Sequence, residues 1–145
     1  MIEVKFKRLN DMAIVPTKGS LHSAGYDLYA CLQNSIFIKP GEIVKIPTGF
    51  ALEIPVGFVG LIFARSGLSI NKKLTPANKV GVCDSDYRGE YLVALKNDGD
   101  KVEEIKPKDR IAQLVIVPFL SVNFKEVENL SETKRGENGF GSTGN

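Results

Sequence analysis

Period-two alternation, closely spaced turn signals and the want of any sustained helical stripe predict an all-β domain, a sandwich or barrel of short strands. Alternation appears first at the start of the chain, where Ile2, Val4 and Phe6 interleave with Glu3, Lys5 and Lys7, and it returns at Tyr91, Val93 and Leu95. A strand with one buried face requires this pattern. Further short apolar runs lie at residues 36–38, 43–46, 50–54, 58–63 and 111–117. Turn formers separate most of them: Pro40-Gly41, Pro47, Pro55-Val56-Gly57, Asn97-Asp98-Gly99 and Pro107-Lys108-Asp109. Only one helical turn is expected, from Ser66 to about Asn71. The prolines fall mainly at strand edges, where a missing N–H costs least.

At 145 residues the chain suits one domain with a real core. Apolar residues at 43% and charged residues at 25% are ordinary for a globular protein. The formal charge of +2 and the interspersed signs give no footprint for direct nucleic-acid binding. No apolar stretch is long enough to span a membrane, and residues 1–7 alternate instead of forming an apolar signal core. Cys31 and Cys83 sit far apart in apolar contexts, which reads as two reduced buried thiols in an intracellular protein.

Residues 1–130 form the expected all-β domain. Residues 131–145 differ, with Phe140 as the one large aromatic among Gly136, Gly139, Gly141 and Gly144. Such a segment cannot bury enough surface to fold alone. With Arg135, Ser142 and Thr143 nearby, it reads as a flexible C-terminal arm that orders on a ligand.

Several chemistries are excluded or disfavoured. The single histidine, His22, has no serine and acid placed around it for a nucleophilic triad. No HExxH, CxxC pair or cysteine–histidine cluster is present, and no GxxxxGK[ST] loop. Carboxylates, arginines and glycine-rich loops remain, a kit suited to Mg²⁺-assisted phosphate chemistry. Arg65-Ser66-Gly67 follows an apolar run, so an arginine fork, a hydroxyl and free backbone N–H groups could cradle phosphate there. Gly81-Val82-Cys83-Asp84-Ser85-Asp86-Tyr87-Arg88-Gly89 sets acids, an aromatic and an arginine between glycines, and as pure structure it reads as a hairpin.

These residues resemble the trimeric dUTPase family. Ala24-Gly25-Tyr26-Asp27-Leu28-Tyr29-Ala30 is similar to the family's first motif and Arg65-Ser66-Gly67-Leu68 to its second. The segment 81–89 resembles the third, Arg110-Ile111-Ala112-Gln113-Leu114 the fourth, and Arg135-Gly136-Glu137-Asn138-Gly139-Phe140-Gly141-Ser142-Thr143-Gly144 the fifth. All occur in the family's order, spanning nearly the whole chain.

The resemblance implies a jelly-roll-like β fold of the dUTPase type, a C₃ homotrimer and active sites at subunit junctions closed by the arm. It implies hydrolysis of dUTP to dUMP and pyrophosphate with Mg²⁺, which limits uracil in DNA and supplies dUMP for dTMP synthesis. Carried over by position, Asp84 is the general base that aims a water at the α-phosphorus. Tyr87 packs on the deoxyribose and excludes a 2′-hydroxyl. Asn78, Gly81 and the backbone up to Asp84 meet the uracil edge. Arg65, Ser66, Gly67 and Gln113 are phosphate ligands, and Asp27 holds Mg²⁺ through its water shell. Arg135 grips the γ-phosphate, Ser142 and Thr143 cap the β and γ oxygens, Phe140 stacks over the base, and Gly139 and Gly141 on either side let the backbone bend and approach closely. The roles of Asp86 and Arg88 stay open, the latter between bracing the hairpin and a subunit contact. Cys83 stands where Ile or Val is usual. Lys108 stands where a glycine is usual, and would be strained if that position needs positive φ.

Two competitors follow. A dCTP deaminase shares the fold but needs a glutamate beside the cytosine amino group, where this chain has Asp84 and a tyrosine. A non-catalytic trimeric module would lack Asp84, Arg65 or the arm, and all are present.

Overall fold

A computed structural model describes residues 2–139. Within them the strands are β1 (Lys5–Arg8), β2 (Thr17–Lys18), β3 (Tyr26–Tyr29), β4 (Ile36–Ile38), β5 (Ile43–Pro47), β6 (Phe50–Glu53) and β7 (Phe58–Phe63). A short helix α1 (Ser66–Asn71) follows, and then β8 (Leu74–Pro76), β9 (Gly81–Cys83), β10 (Leu92–Asn97), β11 (Glu103–Ile105) and β12 (Arg110–Pro118). The all-β expectation holds, and the one helix lies where the sequence allowed it. All pairings are antiparallel. The largest sheet runs β2-β3-β12-β7-β9, and smaller sheets run β5-β10-β8, β11-β4 and β1-β6.

One apolar core joins these sheets. Leu28, Ile38, Ile46, Phe50, Leu95, Ile105 and Ala112 are fully buried in it. The alternation at Tyr91, Val93 and Leu95 faces all three side chains into the core, while Ile2 at the N-terminus stays exposed. Asn97 is buried among them with its amide satisfied. Nδ2 donates to Ile38 O at 2.9 Å and Lys101 O at 2.7 Å, and Oδ1 accepts from Gly99 N at 2.9 Å. The turn Asn97-Asp98-Gly99 is thereby tied to β4 from inside, as buried polar groups require.

The segment 81–89 is not a hairpin. β9 pairs with β7, whereas β10 pairs with β5 and β8, so residues 84–91 cross between two sheets. Glycines explain the first pairing: a Cβ on Gly60 would meet Cys83 Cβ at 3.4 Å, and one on Gly81 would meet Ile62 Cβ at 3.2 Å. The bare backbones let β9 lie close on β7, while the apolar face of β10 is needed in the core. Cys31 is buried and Cys83 half-buried, both as free thiols, and burial pushes both thiols up. Lys108 has φ +67, as do Lys73 at +55 and Lys79 at +63 in the same left-handed region. Strain of about 1 kcal/mol is expected at a non-glycine residue there.

After Pro118 the described chain forms no further strand or helix, and residues 119–138 are exposed. Leu120, Phe124 and Leu130 are each more than 85% exposed. No helix among the described residues is long and apolar enough to cross a membrane.

Candidate active site

The largest sheet builds a cleft of about 500 Å³ at one end of β3, β12 and β7. Register sets its floor: Thr17, Asp27, Gln113 and Phe63 stand in one cross-strand row. Their neighbours Leu28, Ala112, Leu114 and Ile62 point the other way, into the core. Alternation thus puts the polar residues on the open face and the apolar ones inside. Arg65, Ser66 and Gly67 enter where β7 gives way to α1. Arg65 is extended at the helix start (φ −89, ψ 131), and the first amides of a helix have no intrahelical acceptor. A Cβ on Gly67 would meet nothing within 4 Å, so that glycine keeps the cleft clear.

Asp27 is the electrostatic centre. Its carboxylate is 13% exposed and accepts from Arg65 Nε at 2.7 Å and from Arg110 Nη1 at 3.2 Å. Two guanidiniums on one carboxylate leave a net positive charge facing the opening, which suits an anion. Gln113 donates through Nε2 to Ala64 O at 2.8 Å, and its Oε1 lies where a Cβ on Gly25 would fall, so a side chain at position 25 would push the Gln113 amide from this place. The sequence reading gave Arg110 no role. In an unbroken strand, residues 110 and 113 face opposite sides. A register irregularity between Arg110 and Ala112 turns the arginine onto the cleft side, as β-bulges do. The adjacent buried pair Ile111 and Ala112, out of step with alternation, is the signal that could have shown it.

The remaining expected residues lie elsewhere. Asn78 and Gly81 meet at the start of β9: a Cβ on Gly81 would stand 3.3 Å from Asn78 Nδ2. Asp84 is exposed just past its end. Cys83 is opposite Gly60, so one further step puts Asp84 beside Val59, six residues along the chain from Arg65. At about 3.3 Å per residue, Asp84 and Arg65 are roughly 20 Å apart in one chain. Tyr87 is half-exposed and donates from its hydroxyl to Glu90 O at 2.9 Å. Arg88 donates to Ser85 O at 2.7 Å and Tyr87 O at 3.1 Å, bracing the loop. Arg135 lies in the exposed C-terminal stretch, bonded through Nε to Asn138 O at 2.9 Å. Phe140, Gly141, Ser142 and Thr143 lie outside the described residues.

No group of three or more His, Cys, Asp or Glu gathers among the described residues. Among the described residues Asp27 is the sole carboxylate lining the cleft, and both of its oxygens already take guanidinium hydrogens. Such a donor set suits a hydrated ion carried in on phosphates, with Asp27 reaching its water shell, not a resident metal in a protein cage.

A family model described as dUTPase matches residues 11–144. The deoxyuridine 5'-triphosphate nucleotidohydrolase of Syntrophotalea carbinolica is 47% identical over 143 residues, covering 99% of this chain and 97% of that protein. The protein of the same description from Rickettsia prowazekii is 46% identical over 145 residues, covering 99% and 98%. Among solved structures, the Staphylococcus bacteriophage 80alpha dUTPase with dUPNHPP superposes with a TM-score of 0.90 at 31% identity, over 98% of both chains. The jelly-roll-like all-β fold is therefore shared across nearly the whole length.

Proposed function

This chain belongs to the dUTPase family, and from that premise we propose that it hydrolyses dUTP to dUMP and pyrophosphate in sites assembled between copies of itself. The observation that carries the reading is the cleft, where two guanidiniums on one carboxylate, free amides and a glutamine amide face an opening large enough for a triphosphate. Arg65, Ser66, Gly67 and Gln113 hold the phosphate chain there. β9 is an edge strand, and such a strand offers unpaired N–H and C=O groups. Uracil pairs with that edge between Gly81 and Asp84 and with the Asn78 amide, while Tyr87 closes against the sugar.

The chemical step needs a base and a stabilised leaving group. The Asp84 carboxylate takes a proton from water as the water oxygen attacks the α-phosphorus in line. The bond from that phosphorus to the bridging oxygen breaks, and pyrophosphate leaves with its charge met by Arg65. Mg²⁺ held by phosphate oxygens, and through water by Asp27, would supply further charge neutralisation.

A separation of about 20 Å between Asp84 and Arg65 exceeds the span of one triphosphate, so no single chain offers both to one substrate. This supports a C₃ homotrimer whose sites take the cleft from one copy and the Asp84 side from the next. Exposed Leu120, Val122, Phe124 and Leu130 support it too, because a clustered run of apolar side chains in water marks a contact surface. The arm of a third copy, with Arg135, Phe140, Gly141, Ser142 and Thr143, closes the site. The enzyme works inside the cell, where its nucleotide is.

Pyrophosphate release with Mg²⁺ from dUTP, UTP, dTTP and dCTP, with products identified, tests the reading. Selective conversion of dUTP to dUMP is expected. Ammonia release from dCTP would point to the deaminase relative, and a folded assembly inert on all four would leave a binding module.

A further inference from the structure

A column of aromatic rings runs from the core to the proposed sugar platform. Phe6 meets Phe50 at 5.1 Å between centroids, Phe50 stacks on Tyr91 at 5.6 Å, and Tyr91 meets Tyr87 at 5.9 Å with a 51° tilt. Exposure rises along it: Phe50 is 0% exposed, Tyr91 2% and Tyr87 45%. Tyr91 is held on both sides of its backbone. Its N–H donates to Phe50 O at 3.0 Å, and its carbonyl accepts from Thr48 Oγ1 at 2.6 Å. Beside it, Glu90 Oε1 accepts from Gly49 N at 2.8 Å. Residues 90–91 and residues 48–50 are thus tied together at three points.

Tyr87 rests on these tied segments. Its hydroxyl is fixed on the Glu90 carbonyl, and its ring lies over Gly89, where any Cβ would collide with it. The ring of Tyr91 supplies the remaining wall. The Tyr91 hydroxyl, by contrast, is buried with no well-formed hydrogen bond among the described residues. An unmet hydroxyl costs about 1–3 kcal/mol, and the group nearest to meeting it is the weakly bonding Cys83 thiol. The contact that Tyr91 makes with Tyr87 is through the ring.

We propose that Tyr91 is a positioning residue for sugar selection: its ring, locked against Phe50, sets the Tyr87 ring at the height where it excludes a 2′-hydroxyl. This rests on Tyr87 being the sugar platform, as read above. A side chain without a ring at position 91 leaves Tyr87 free to tilt inward, and the space released admits a ribose.

The test compares kcat/KM for dUTP and UTP in Tyr91→Leu, Tyr91→Phe, Val93→Ala and Tyr87→Leu. Tyr91→Leu should lose about 10-fold or more of the preference for dUTP, mainly through better use of UTP. Tyr91→Phe keeps the ring and should hold the preference within about twofold. Val93 is equally buried two residues along, on β10, and its truncation loosens the core without removing a ring from the column, so Val93→Ala should lower the melting temperature yet keep the preference. Should Tyr91→Leu fail to fold, Tyr91→Met takes its place in the comparison. The proposal is overturned if the ringless variant keeps the wild-type preference, or if Val93→Ala loses as much. If Tyr87→Leu itself keeps the preference, the sugar-platform reading fails and takes this proposal with it, an outcome told apart by that one variant.

Discussion

The cleft and the Asp84 loop are opposite ways to hold an acid. Asp27 is 13% exposed and bonded to two arginines, Arg65 at the start of α1 and Arg110 on β12, in a row fixed by sheet register. Asp84 stands exposed beyond the end of a three-residue edge strand. One carboxylate is already paired within a single chain, and the other, on the function proposed above, meets its partners only between copies. Strand register makes a binding surface early and cheaply. A reacting group gains more from being left free until substrate and neighbour are both in place.

The contrast can be broken at its reactive end first. Asp84→Asn is expected to cut turnover by roughly two to four orders of magnitude while nucleotide still binds, as read by steady-state rates beside calorimetric titration. Unchanged turnover would remove Asp84 from the chemistry. Next in size is a rescue. Inactive Asp84→Asn and Arg65→Ala chains, unfolded together and refolded, should regain roughly a quarter of the wild-type sites, because each site draws its two halves from different copies. No regain in a mixed assembly would place both halves in one chain.

Smaller effects probe the supports. Burial holds the Tyr91 hydroxyl above the ordinary tyrosine range. Its contribution to stability is therefore complete below the unfolded value, near pH 10, and is lost as pH rises through the folded value. Urea midpoints of the wild type and Tyr91→Phe should keep a constant gap at neutral pH and shift in favour of the phenylalanine above about pH 10. A gap independent of pH would mean that the hydroxyl ionises freely in the folded state. The smallest change is Lys108→Gly, which relieves φ +67. It should stabilise by about 1 kcal/mol or less with no change in rate, since glycine also loosens the unfolded chain.

Long strands with a clean alternation were legible from sequence, as at Tyr91, Val93 and Leu95, and so was the helical turn at Ser66–Asn71. β2 and β8 were not: two or three residues, polar or ending in proline, carry too little periodicity to register. The hairpin misreading at residues 81–89 has a related cause. Turn chemistry is local, but which sheet each flanking strand joins depends on distant Gly60 and Phe50. In the site, Asp27, Arg65, Ser66, Gly67 and Gln113 were found together because motif and register agree. Arg110 was missed because one irregular step in β12 reverses its face, which strict alternation cannot express. The distance between Asp84 and the cleft was hidden for the same reason, since it is a property of pairing and not of spacing along the chain.

An open edge at β9 carries a hazard of its own. The groups that can pair with a base can equally recruit another strand, and Val82 on that edge is 65% exposed. Longer apolar edges of this kind seed aggregation. Here the edge is three residues long, with the left-handed Lys79 shortly before it and the charge of Asp84 immediately after. It is too short to template a growing ladder, and if it reads one flat heterocycle as proposed, the dimensions of that ligand also serve as a limit on polymerisation.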